Sequence, residues 1–117
     1  MIHRMINRGA VYLCYENVDF RKNINGLAAI VQSSFHQDPF EGSLFVFCSK
    51  RKNAIKVLQW DMDGFTLYHE RREKGRFCWP EITDKDGTVN ITKKDLNRLL
   101  DGLVMEQFIP HKNYTMM

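Results

Sequence analysis

Residues 45–80 read FVFCSKRKNAIKVLQWDMDGFTLYHERREKGRFCWP. Apolar runs at 44–48, 54–60 and 65–69 are separated by a five-residue polar loop, Ser49 to Asn53, and by the turn dipeptide Asp63-Gly64. Apolar runs of this length, punctuated by turn chemistry, predict an antiparallel meander. Leu44 to Cys48 is apolar without a break, the pattern of a buried strand. Phe45 and Phe47 share one face by period two and are core candidates. Phe77-Cys78-Trp79 reads as a further short strand, stopped by Pro80. The same window carries eight Lys/Arg against four Asp/Glu, whereas the whole chain is only +3. The positive charge therefore sits on one contiguous piece of chain. That is the footprint of a surface meeting something anionic, most often nucleic acid.

On the N-terminal side, Val11-Tyr12-Leu13-Cys14 reads as a short strand. Asp19 stands at an N-cap position before the helical stripe Ile24, Leu27, Ala28, Val31 and Phe35. This spacing predicts a helix over 20–35, ended by Asp38-Pro39. On the C-terminal side, Val89-Asn90-Ile91 is a small strand after a polar loop, Thr83 to Gly87. Thr92, with Asp95 three residues on, opens a second helix in a capping-box arrangement. Its apolar face is Leu96, Leu99, Leu100 and Leu103, and Gly102 marks its end. Residues 1–9 and 107–117 show no clear periodicity and are expected to be mobile. The fold class is α+β: an antiparallel β-meander sheet of four to six strands with two helices packed on it, in one domain over 1–117.

Composition excludes several classes. With 44% hydrophobic and 12% aromatic residues the chain has the material for a core and is not of the disordered type. No run approaches the roughly 18 apolar residues of a membrane span, and the opening MIHRMINRGA lacks the apolar segment of a secretory signal. Cys14, Cys48 and Cys78 are odd in number, widely spaced and set in apolar runs. They read as free thiols in a reducing cytosol, without metal-ligand spacing.

Residues along nearly the whole chain resemble the IS66 Orf2-like family, the small accessory proteins of IS66-type insertion sequences usually called TnpB. The resemblance is carried by Val11-Tyr12-Leu13, Asp19-Phe20-Arg21-Lys22 and Gly26-Leu27-Ala28, then by Asp38-Pro39-Phe40, Gly42 and Leu44-Phe45-Val46-Phe47. Its most specific part is Lys56-Val57-Leu58, Trp60-Asp61, Asp63-Gly64, Leu67-Tyr68, Arg71, Glu73 and Gly75-Arg76-Phe77 with Trp79-Pro80. Asn53, Ala54, His69 and Arg72 depart from the family pattern. The resemblance implies a protein needed beside a separate, larger transposase and leaves its biochemical activity undefined; the residues themselves lead us to expect a cytoplasmic, non-catalytic protein. Its partners would be DNA of the element ends, the transposase, or both. The resemblance assigns no cofactor and no catalytic residue.

The candidate nucleic-acid-binding residues are the hairpin cations Lys50, Arg51, Lys52 and Lys56, with Arg71, Arg72, Lys74 and Arg76 from the next connection. In a meander, loops alternate between sheet ends, so both groups are expected at the same end. Phosphate contact, a solvated loop that protects an edge, and an acidic protein patch all fit such a knot. Of the aromatics Phe45, Phe47, Trp60, Tyr68, Phe77 and Trp79, the last is the candidate for stacking on a base. Asp61 and Asp63 read as a turn, with Gly64 supplying a positive φ, rather than as a metal pair lacking a third ligand. The four histidines are scattered, and no nucleophile motif or phosphate loop is present.

Overall fold

A computed structural model describes residues 9–15, 18–82 and 87–109. Of the expected tails 1–9 and 107–117, residues 1–8 and 110–117 lie outside the described residues, as does most of the 83–87 loop. Strand β1 (Val11–Cys14) leads to helix α1 (Ile24–Ser33) and strand β2 (Leu44–Cys48). Strands β3 (Ala54–Asp61) and β4 (Gly64–Arg71) follow, then β5 (Thr88–Ile91) and helix α2 (Lys93–Leu100). The five strands form one sheet in the order β4-β3-β2-β1-β5. The meander is present: β2 pairs antiparallel with β3, and β3 with β4, in continuous register.

One pairing differs from the expected all-antiparallel sheet. β1 runs parallel to β2, Val11 opposite Leu44, and antiparallel to β5 on its other side. Parallel neighbours need a long crossover, and α1 supplies it. The sheet is therefore mixed within the α+β class.

All five residues of β2 are buried, and alternate side chains enter two different cores. Leu44, Val46 and Cys48 join Val11, Leu13, Ile55 and Val57 under Leu96, Leu99 and Leu100 of α2. Phe45 and Phe47 join Cys14 and Leu58 under Leu27, Val31 and Phe35 of the α1 segment. The two helices thus cover opposite faces. Fully burying each β2 side chain contributes about 1.5–3 kcal/mol.

Helix boundaries depart from the pattern at α1. The helix begins at Ile24 behind Asn23, which makes no side-chain cap. Asp19 instead closes a turn of its own, accepting the Arg21 N–H at 2.9 Å and pairing with the Arg21 guanidinium. Arg21 holds the Asp19 carboxyl below the usual carboxylate range by these bonds. At α2 the cap is as expected: Thr92 Oγ1 accepts the Asp95 N–H at 3.0 Å. Gly102, at φ +83, closes that helix; its N–H reaches Leu99 O, and the Leu103 N–H reaches Arg98 O. This double bond through a left-handed glycine satisfies the last carbonyls.

Asp95 does not complete the capping box. It is 2% exposed, and its carboxylate accepts the N–H groups of Glu106 (2.7 Å) and Gln107 (3.3 Å). It thereby fixes a 3-10 turn at Glu106–Phe108, which no periodicity announces, with Phe108 against the α2-side core. Residues 76–82 form no strand, so Phe77-Cys78-Trp79 is irregular chain, although Phe77 is buried. Removing both acceptors with Asp95→Ala should lower unfolding free energy by about 1–3 kcal/mol. Asp95→Asn, which keeps one carbonyl acceptor, should cost less; urea denaturation of both variants checks the order.

Candidate nucleic-acid interface

The loop joining β2 to β3 is tied by its first residue. Ser49 Oγ accepts the N–H groups of Asn53 (3.2 Å) and Ala54 (3.0 Å), and the Lys52 N–H donates to Ser49 O at 2.9 Å. Lys52 takes a left-handed conformation, φ 64, to turn the chain back into β3. Lys50 and Arg51 occupy the two central positions of this turn and are exposed.

The connection leaving β4 folds onto that loop. The Arg72 N–H donates to Asn53 O at 2.8 Å, and the Phe77 N–H to Lys52 O at 2.7 Å. The 49–53 loop and the 72–77 connection are therefore one backbone-bonded unit at one end of the sheet. The Met62-Asp63 turn lies at the other end. Lys74 and Arg76 are exposed on this unit, and Lys52 is half-buried. Among the described residues Lys50, Arg51, Lys74 and Arg76 have no ion-pair partner.

Three of the sequence candidates have other engagements. Lys56 is 4% exposed. Its ammonium donates to Phe20 O (2.8 Å) and Lys22 O (2.9 Å) and stands 5.0 Å from the centroid of the Phe20 ring. Burial lowers its pKa. Lys56 is therefore corrected out of the phosphate-binding set, because its charge is spent on the chain entering α1. Arg72 lies 5.4 Å from the Phe77 ring centroid and beside Gly102, where an added Cβ would come within 2.7 Å of its guanidinium. It packs at the carbonyl end of α2, where a cation is favoured. Arg71 is exposed but pairs with Glu73 at 3.3 Å.

Sequence reading missed two cations. Lys56 holds residues 20–22 at this same end of the sheet, which brings in exposed Arg21 and Lys22. Only the register of Lys56 with its carbonyl partners shows this. Trp79 is half-buried against the α2-side core and lines a hollow of about 230 Å³ with Pro80, Val104 and Phe108.

The far end is different. Asp61 and Asp63 flank Met62, and it is Met62, φ 63, that takes the left-handed conformation expected of Gly64. Among the described residues no group of three or more His, Cys, Asp or Glu side chains converges there or elsewhere as a metal site. Phe40 (54% exposed), Trp60 and Phe65 form a three-ring cluster with centroids 5.0–5.4 Å apart.

The protein is thus a small mixed sheet with exposed cations on two joined loops at one end. The chain belongs to the IS66 Orf2-like family, whose model matches residues 9–109. Membership implies an accessory role in the transposition of an insertion sequence. It is similar to two curated proteins of Sinorhizobium fredii (strain NBRC 101917 / NGR234). One, the uncharacterized protein y4jC, is 34% identical over 93 residues, covering 80% of this chain and 78% of the relative. The other, the uncharacterized protein y4hO, is 32% identical over 93 residues, covering 80% and 79%. No solved structure matches. Among the described residues no helix is long and apolar enough to cross a membrane.

Lys56 and Lys50 should behave oppositely on truncation. Lys56→Ala strands two carbonyls and should destabilise the fold by about 1–3 kcal/mol. Lys50→Ala, at an exposed loop position, should change stability by under about 0.5 kcal/mol. Thermal unfolding of the two variants measures the difference.

Proposed function

We propose that this protein is a non-catalytic accessory factor of IS66-type transposition that grips the phosphate backbone of nucleic acid, at element ends or in a transposase–DNA complex. One observation carries the reading: two loops separated by an entire hairpin are hydrogen-bonded to each other, and together they present Lys50, Arg51, Lys74 and Arg76 without an ion-pair partner among the described residues. The backbone that carries these cations is already ordered, so meeting phosphates orders only their side chains. Each neutralised phosphate also releases condensed counterion. Lys22 and Lys52 widen the footprint.

Backbone contacts position a protein without reading sequence, so binding should be salt-dependent and weakly selective. The test is a gel-shift series across salt, with terminal-repeat and random duplexes. Combining Lys50→Ala, Arg51→Ala and Arg76→Ala should flatten the plot of log affinity against log salt by up to about three units, because each duplex contact contributes about 0.9. The fold should be retained. If the isolated protein binds no DNA and the triple variant instead loses co-purification with the transposase, the basic unit docks on protein.

A further inference from the structure

Among the described residues the outer edge of β4 is open. β4 is the last strand of the sheet on its side, and among the described residues no other backbone hydrogen bond crosses that edge. It is also regular: eight consecutive residues pair with β3 without a bulge. The strand, GFTLYHER, contains no lysine and no proline, the usual devices that keep an edge from pairing. The opposite edge, β5, is only four residues long.

The parity of this edge follows from its inner side. The Arg72 N–H is bonded to Asn53 O just beyond the last register pair. Hydrogen-bonded and non-bonded pairs alternate along an antiparallel ladder. Gly64, Thr66, Tyr68 and Glu70 therefore bond inward to β3, and Phe65, Leu67, His69 and Arg71 direct their N–H and C=O groups outward. The side chains of Phe65 and Leu67 lie on the α1 face of the sheet.

The two ends of the edge differ in charge. Asp61 and Asp63 stand at the turn end; the other end mixes Arg71 and Arg72 with Glu70 and Glu73, Arg71 being exposed and within 3.3 Å of Glu73. A parallel partner would set like charges opposite each other. An antiparallel partner sets unlike charges together. We propose that β4 pairs antiparallel with β4 of a second copy about a two-fold axis at Leu67, making one ten-stranded sheet. In that register Leu67 meets the partner's Leu67, and Phe65 meets the partner's His69. Asp63 faces the partner's Arg71. The Phe40–Trp60–Phe65 rings then extend over the seam, which accounts for large aromatic surface at the end of the sheet that carries no basic unit. This inference does not depend on the proposed nucleic-acid reading.

The experiment is sedimentation equilibrium on the full chain, with circular dichroism to check each fold. A monomer–dimer equilibrium weakened by salt is expected. Asp63→Arg and Arg71→Asp should each weaken dimerisation about tenfold or more, since each change is felt twice across the axis. The double variant should recover it. Positions 63 and 71 of one chain lie about 27 Å apart along the strand, so only pairing between copies explains recovery. Leu67→Pro removes an outward N–H while sparing the β3 ladder and should abolish the dimer. A native protein that stays monomeric up to its solubility limit overturns the proposal. So do single charge variants without effect, a double variant without recovery, and a folded Leu67→Pro that still dimerises.

Discussion

Strand β2 has no solvent-facing side. Its five side chains divide between two cores, so neither helix can be omitted and neither can swap faces without stranding the residues opposite. The first part of β3 shares this constraint and breaks it at Gln59 and, with a charge, at Lys56, whose ammonium replaces lost water with two main-chain carbonyls and an aromatic face. An unpaired buried charge would cost several kcal/mol. The chain around Phe20 and Lys22 is thus drawn against the sheet by electrostatics at the point where α1 has no side-chain cap to organise its start.

With both faces of β2 covered, the ends of the sheet and the edge at β4 stay accessible among the described residues. The ends are chemically unlike. One gathers cations on hydrogen-bonded loops, and the other gathers carboxylates and aromatic rings. A strand of eight residues holds the two chemistries farther apart than a screening length of about 8 Å at physiological salt, so the charges of one end are hardly felt at the other.

Much of this was legible in the residues. β2, β3 and β4 follow from apolar runs and turn chemistry, and α2 follows from Thr92, the leucine spacing and Gly102. What was not legible shares one cause: pattern gives an element, not its neighbour. Val11 to Cys14 reads as a strand, but nothing in four apolar residues says that it runs parallel to β2. Lys56 counts as one cation of a basic cluster until the carbonyls of Phe20 and Lys22 are placed beside it. Arg72 is likewise claimed by Phe77 and the end of α2. Asp95 looks like half of a capping box, yet its carboxylate serves residues eleven and twelve positions later. The loop cations stand out by composition, whereas the place of Arg21 and Lys22 beside Lys56 comes only from the fold.

The place of β1 between β2 and β5 has a consequence for synthesis. The first strand to leave the ribosome is the one that must wait longest for a partner on each side, since β5 and the helix that seals its face come from the last third of the chain. Until Ile91 emerges, the nascent sheet has a raw second edge at Val11–Cys14 and an uncovered apolar face. Non-local closure of this kind is slow and exposes sticky surface while it is pending. A message cut short after the meander therefore yields an aggregation-prone fragment rather than a weakened version of the protein.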